Sequence, residues 1–331
     1  MGFRHEHILD LYRYAAEGGG RDYTVVAACE EDEETRKALA GRYPIDYGDY
    51  RRMLDEVPCD AVAVCDYFGK RGSIAIEALR RGKHVISDKP ICTSLDEYHR
   101  IQALVAEKGL VLSVMLDVRD KGNYRRLHQL VREGAIGEVH GVAVSGQHPL
   151  LLGVRPAWYF EPGKHGGTIN DIAIHAFDTI RWVTGMDFTE ITAARSWNAF
   201  AKDFPHFHDG GQFLAAMENG CGVLGDVGYF MPDAQGRTID QYWRMTFYGT
   251  LGVVETSWNR NGVMLARRDK TEPEVLPPCD TTPGGYMKSF IREINGDRSA
   301  LSPSSADSMR AGFISLVAQH AAEEGACHVK L

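Results

Sequence analysis

Apolar positions along the chain fall into two regimes. Residues 25–29, 60–65, 82–87 and 110–116 are near-continuous apolar runs of five to seven positions, the pattern of strands buried on both faces of a parallel sheet. Residues 73–81 instead repeat their apolar positions at helical spacing and stop at Gly82, a residue suited to a helix carboxyl end. Strand, helix and strand therefore alternate, which predicts a doubly wound parallel sheet over residues 1–117. Beyond about residue 119 the alternation ends. A helix is expected over 124–133, and residues 139–147, 191–197, 212–217, 222–229 and 242–248 are alternating or β-rich. Residues 118–331 are accordingly expected to form an α+β domain around a large, mainly antiparallel sheet, with long loops at 200–211 and 267–285.

Polar residues at the ends of these elements carry the candidate chemistry. Asp88-Lys89-Pro90 follows the run at 82–87, and ligands of open α/β sheets bind beyond the carboxyl ends of the strands. Lys89 can donate a proton or a hydrogen bond there; its bland alternative is a surface lysine closing a turn. A second cluster, Gly166-Gly167-Thr168-Ile169-Asn170-Asp171, leads into a helix carrying His175 and Asp178. Asn170 or Asp171 can cap that helix. Spacings of four and three place Asp171, His175 and Asp178 toward one face, where a carboxylate can poise an imidazole for proton transfer. A capping aspartate and a core histidine are the plain alternative. Two ligands make half a metal site, and no cysteine pair completes it, so no metal is expected.

Composition narrows the function classes. A chain of 331 residues accommodates two cores, and its net charge of −8 argues against nucleic acid as a partner. Seven scattered cysteines without paired spacing read as reduced thiols. No apolar run approaches the roughly 20 residues of a membrane span, and the first residues lack a signal-peptide pattern, so a cytoplasmic protein without a membrane partner is expected.

Taken in order, several segments resemble the glucose-fructose oxidoreductase and inositol dehydrogenase family, Gfo/Idh/MocA. They are Val25-Val-Ala-Ala-Cys-Glu30, Tyr47-Gly-Asp-Tyr50, Ala78-Leu-Arg-Arg-Gly-Lys-His-Val-Ile-Ser-Asp-Lys-Pro90, Gly134-Ala-Ile-Gly-Glu-Val139, the Gly166 to His175 run and Tyr248-Gly-Thr-Leu-Gly252. The resemblance implies a Rossmann-like first domain and an NAD-dependent oxidoreductase acting on a CH–OH group of a sugar, polyol or sugar derivative. It implies that Lys89 and His175 serve the reacting oxygen while Asp171 orients His175. Asp88 stands where the family has glutamate. An exposed sheet face that mediates oligomerisation is also implied, hence a homodimer or homotetramer.

The amino terminus departs from the pattern. A dinucleotide fold has a first strand, then a Gly-x-Gly-x-x-Gly turn and a helix whose amino end receives the pyrophosphate. Here Gly2 fits the first glycine while Arg4 and His7 stand at the second and third, and no strand precedes the turn. The first strand is thus expected to be missing or replaced. NAD is then either held poorly, or held by Gly2, Phe3, Arg4 and His5, with side-chain donors supplementing backbone amides. Glu30, after the run at 25–29, is placed to accept from the adenosine ribose and favours NAD over NADP, although Glu30-Glu-Asp-Glu-Glu34 also reads as a solvated helix start. Asp88 and Lys89 border the same cofactor end. Tyr67 and Arg71 are candidates for stacking and phosphate contact, or for packing and a solvated basic turn. Arg119, His148, Arg155, Trp158 and His165 are candidate substrate ligands, each with a packing alternative. Two other functions fit the scaffold: a lyase, epimerase or glycosidase, with NAD retained without net redox change or with no cofactor, and a non-catalytic sugar-binding protein.

Overall fold

The computed structural model describes residues 1–17 and 23–331. They divide into two compact units. The first comprises residues 1–115, 163–166 and 284–309; the second comprises 116–162, 167–283 and 310–331. The chain therefore passes between units just before the 117/118 boundary expected from sequence, and twice sends segments back to the first.

In the first unit, α1 (Ile8–Glu17), α2 (Glu33–Leu39) and α3 (Tyr50–Glu56) precede β1 (Ala61–Val64). There follow α4 (Phe68–Arg80), β2 (His84–Ser87), α5 (Leu95–Lys108) and β3 (Leu112–Val114). The strands pair in parallel in the order β1-β2-β3. Val62, Val64, Val85, Ile86, Leu112 and Val114 are all buried, as near-continuous apolar runs require when both sheet faces are covered. α5 starts with the Ser94 hydroxyl accepting from the Glu97 amide and ends at Gly109, whose φ of 61° suits a residue without a side chain. The run at 25–29 departs from expectation. Only Cys29 makes a β-bridge, to Tyr47, and Val25 and Val26 remain 39% and 60% exposed. Its expected neighbour, a first strand, is not among the described residues; on that side the Gly2 amide donates to the Cys29 carbonyl at 2.9 Å.

In the second unit, α6 (Gly122–Arg132) and β4 (Val139–Pro149) are followed by α7 (Ile174–Thr184), β5 (Phe188–Trp197), β6 (Gly210–Met217) and β7 (Gly222–Met231). Then come β8 (Arg244–Gly249), β9 (Gly252–Thr256), β10 (Val263–Arg267) and the short β11 (Glu274–Leu276), which lies inside an expected loop. α8 (Gly285–Ile294) belongs to the first unit, α9 (Ser305–Glu324) begins there and crosses at residues 309/310, and β12 (Cys327–Lys330) closes the chain. The nine strands run β11-β10-β9-β8-β4-β7-β6-β5-β12. Every neighbouring pair is antiparallel except β4 with β7. α6 and α7 pack together on this sheet's buried side. Leu214, Leu224 and Tyr248 are 48–53% exposed on β6, β7 and β8.

The segment before α7 corrects a local reading. Residues Ile169–Ala173 form a π-helical turn that runs directly into α7, so Asn170 and Asp171 sit within the helix and do not cap it. Asn170 instead accepts from the Ser315 hydroxyl at 3.0 Å. π-turns inside helices recur at functional sites, which directs attention to Asp171. Among the described residues no helix is long and apolar enough to cross a membrane.

Candidate active site

The first unit builds its polar cluster from the turn ahead of α1 and the ends of β1 and β2. Gly2 has φ 75°, and a Cβ there would lie 2.5 Å from the Asp66 side chain, so only glycine lets the turn approach so closely. The Phe3 amide donates to Glu30 Oε2 at 2.5 Å and the Asp32 amide to Glu30 Oε1 at 2.7 Å. Glu30 is 1% exposed, so its carboxylate is turned inward onto backbone amides and does not present itself to a ribose. Arg4 forms a 3.2 Å ion pair with Asp32 at the exposed edge of the same turn.

Asp88 is the hub of this cluster. Its Oδ1 accepts from the Lys89 amide at 2.8 Å and lies 2.9 Å from His7 Nδ1. Its Oδ2 accepts from the Arg71 guanidinium at 2.8 Å and lies 2.7 Å from His5 Nδ1. Burial alone would raise the Asp88 carboxyl, but Arg71, His7 and His5 override it and hold the group well below the usual carboxylate range. His5 is pushed down to about 4, chiefly by burial and against the pull of Asp88, so its imidazole is neutral at pH 7. His5, His7 and Asp88 have ligand-like separations, and the Asp88 carboxylate also accepts from the Lys89 amide and the Arg71 guanidinium. The arrangement is a buried ionic hub centred on Asp88.

Arg71 corrects another reading. It is fully buried and donates to the carbonyls of Asp66 and Lys89 as well as to Asp88, so it ties β1 to the turn after β2 and does not face a phosphate. Lys89 lies 5.8 Å from the Phe68 ring centre, and His5 and His165 pack on the same ring at 5.7 and 5.3 Å. His165, expected in the second domain, belongs to the first unit and is buried. Tyr67 stands ahead of α4 with Lys164 5.2 Å from its ring centre.

The second unit gathers a different set. The Tyr229 hydroxyl, on β7, donates to Asp171 Oδ2, and both groups are buried. Burial, reinforced by the Asp171 charge, pushes the Tyr229 phenol well above its ordinary value, so it stays a donor. Arg155 lies 4.9 Å from the Tyr229 ring centre and 4.7 Å from that of Tyr159, and it donates to the carbonyls of Leu150 and Pro149. His148 Nδ1 donates to the Gly146 carbonyl at 3.1 Å. Its ring packs near Tyr229, Tyr242 and Trp243. Trp243 in turn meets the His175 ring at 5.2 Å, and His175 Nδ1 is 4.0 Å from Asp117 Oδ1. His175, Trp243, His148, Tyr229 and Asp171 thus form one continuous polar and aromatic wall.

Two expected substrate ligands fall outside that wall. Arg119 is buried and donates to both oxygens of Asp178, at 2.7 and 2.5 Å, a bidentate pair that uses Asp178 for structure. Trp158 is 2% exposed and stacks on Tyr159 at 4.2 Å, which makes it core. Tyr229, Trp243 and Asp117 were not singled out from sequence. The β-rich run at 222–229 held Tyr229, but its pairing with a residue 58 positions away has no local signature.

A parallel α/β unit with a glycine turn leading into a helix, together with a mixed-sheet unit carrying a buried acid, an imidazole and aromatic groups, defines a two-unit oxidoreductase scaffold. Residues 7–116 match the model of an oxidoreductase family with an NAD-binding Rossmann fold, and residues 124–255 match the GFO/IDH/MocA C-terminal domain. The chain belongs to the Gfo/Idh/MocA oxidoreductase family. It is 30% identical over 245 residues to the uncharacterized oxidoreductase YdgJ of Escherichia coli, covering 68% of each chain. It is 26% identical over 147 residues to the myo-inositol 2-dehydrogenase of Thermotoga maritima, covering 44% of this chain and 42% of that one. The chain thus spans less than half the length of that relative. An inositol dehydrogenase homolog from Azotobacter vinelandii, solved with NAD+, shares the fold with a TM-score of 0.78 at 16% identity, covering 93% of this chain and 90% of that one.

Proposed function

We propose that this protein is an NAD-dependent dehydrogenase acting on a CH–OH group of a sugar, polyol or sugar derivative, with Lys89 and His175 both serving the reacting oxygen. The observation that carries the reading is the wall formed by Asp171, Tyr229, His148, Trp243 and His175. A buried carboxylate already satisfied by a phenol, beside an imidazole backed by aromatic faces, suits recognition of neighbouring hydroxyls and removal of one proton. Relatives named as inositol and levoglucosan dehydrogenases support the substrate class.

The first unit fits the dinucleotide at the pyrophosphate end. Gly2 permits the close turn, α1 begins at Ile8, and the partly exposed Arg4 and His7, paired here with Asp32 and Asp88, stand at that turn as the side chains proposed to meet phosphate oxygens. The acidic run Glu31-Asp32-Glu33-Glu34 at the edge of the turn disfavours the 2′-phosphate of NADP. When bound, NAD supplies the hydride acceptor. In the proposed reaction His175 takes the hydroxyl proton, the Lys89 ammonium donates to the same oxygen, and Asp171, held by Tyr229, fixes a neighbouring hydroxyl. The exposed Leu214, Leu224 and Tyr248 support a homodimer or homotetramer through the outer face of the nine-stranded sheet.

Calorimetric titration with NAD, then a panel of sugars and polyols followed by NADH absorbance, tests the reading. Binding at micromolar concentration with net NADH formation is expected. Tight NAD without net redox change would move the protein to the epimerase or lyase class, and ligand binding without turnover would make it a sugar-binding protein.

A further inference from the structure

A second carboxylate, besides Asp171, stands beside His175. Asp117 opens a single 3-10 turn, Asp117–Asp120, ahead of α6, and His175 is the second residue of α7. The two elements pack together within the second unit, with Asp117 Oδ1 4.0 Å from His175 Nδ1. That is about 1 Å longer than a hydrogen bond. The two side chains differ in their freedom to close the distance. Asp117 is 53% exposed, whereas His175 is 7% exposed and lies against the Trp243 ring.

Trp243 keeps the imidazole from turning. Its φ of 57° is in the left-handed region, an outlier for a bulky residue, and it is buried. Such a conformation persists where the surroundings impose it. Here the Tyr124 hydroxyl, from α6, donates to the Trp243 carbonyl, and the His148 ring meets the indole at 5.6 Å and 88°. The indole so held meets His175 at 5.2 Å and 72°.

The other polar groups nearby are engaged elsewhere. Asp171 accepts from Tyr229, and Asp178 is taken up by Arg119. His148 Nδ1 is turned to the Gly146 carbonyl, and Lys121 lies over the Trp258 ring at 4.1 Å. Tyr124 and Tyr242 keep their protons, since burial raises both phenols and the Asp117 charge raises both further. Among the described residues Asp117 itself accepts no hydrogen bond, so its charge remains for His175. We propose that Asp117 is a positioning residue for His175: its carboxylate closes on Nδ1, fixes the Nδ1–H tautomer and leaves Nε2 to take the hydroxyl proton. The imidazolium then holds both protons, and the Asp117 charge, unprotonated throughout, stabilises it.

The inference rests on His175 being the acid/base group proposed above, and two readouts separate them. Nitrogen-15 NMR of the full chain reports the tautomer and titration midpoint of the His175 imidazole without turnover, with His175→Gln assigning the signal. Wild type, Asp117→Asn and Asp117→Glu are compared, and the pH profile of kcat/KM for NADH formation is recorded for each. In Asp117→Asn the midpoint and the acid limb of the profile are both expected to fall by about half a unit or more, because an opposite charge favours the imidazolium. The Nδ1–H tautomer is expected to lose population, and kcat to drop about tenfold with KM changed less than about twofold. Asp117→Glu is expected to restore midpoint and limb. An unchanged midpoint and tautomer in Asp117→Asn would overturn the role of Asp117. A lowered midpoint with an unmoved acid limb would uphold Asp117 beside His175 and overturn His175 as the acid/base group. Absence of turnover in the wild type would overturn the dehydrogenase reading, while the midpoint still decides Asp117.

Discussion

The hydroxyl of Tyr229 donates to the carboxylate of Asp171, joining the eighth residue of β7 to the π-turn ahead of α7. A hydrogen bond to a charged acceptor contributes about 1.5–3 kcal/mol. Tyr229→Phe is therefore expected to lower kcat/KM for the polyol roughly 10- to 100-fold, since 1.4 kcal/mol is tenfold. NAD affinity, measured by calorimetry, is expected to stay unchanged; an equal loss in both would show that Tyr229 acts through the fold.

Arg71 and Asp88 form a fully buried ion pair. Arg71→Met leaves a buried carboxylate without its main counter-charge and is expected to cost about 3–5 kcal/mol in chemical denaturation. The double variant with Asp88→Asn is expected to cost less than the sum of the single changes, because no uncompensated charge then remains. Strict additivity would contradict the hub geometry.

Arg119→Ala should act in the same manner and not on the substrate. Its loss leaves Asp178 buried and unpaired, so unfolding is expected at clearly lower denaturant while KM changes less than about twofold. A large rise in KM with unchanged stability would return Arg119 to the substrate.

The acid limb of stability is expected to report His5. Its folded value of about 4 lies below the ordinary 6.5, so the unfolded chain binds more protons between the two. The stabilisation is complete above pH 6.5 and is lost as pH falls through that window toward 4, by about 3 kcal/mol at 1.36 kcal/mol per unit. Asp88, held below its usual range, adds a further loss at lower pH as its carboxylate is protonated. His5→Asn, which keeps a donor for Asp88, is expected to flatten the curve between pH 6.5 and 4 without abolishing folding.

Arg4→Ala and His7→Ala are each expected to weaken NAD roughly three- to tenfold and to reduce the salt dependence of binding, if both act as the proposed donors to phosphate oxygens. Calorimetry at two ionic strengths measures both effects.

Much of the scaffold was legible because burial writes itself locally. The apolar runs at 60–65, 82–87 and 110–116 could satisfy their side chains only inside a sheet, and they became β1, β2 and β3. The run at 25–29 carried the same signal but pairs only at its Cys29 end, because a strand needs a neighbour as well as a composition. Site geometry was less legible for a related reason. Arg71 in a Gly-Lys-Arg-Gly stretch has the pattern of a solvated turn, and only folding sets Asp88 against it. Arg119 with Asp178 and Tyr229 with Asp171 are pairs 59 and 58 residues apart, beyond any helical or strand period. The phase of the Asp171 helix was shifted by a π-turn that periodicity does not encode.

The return of residues 284–309 to the first unit sets a clock on its maturation. Met287 and Phe290 share a core with Phe3, Ile8, Cys65 and Met115. During synthesis that core waits for α8 to emerge, and at about 5–20 residues per second the delay after residue 115 is roughly 10 to 35 s. Over that interval the nascent first unit exposes the apolar surface that α8 will cover, and it is then that a chaperone or a stray apolar segment has its opportunity.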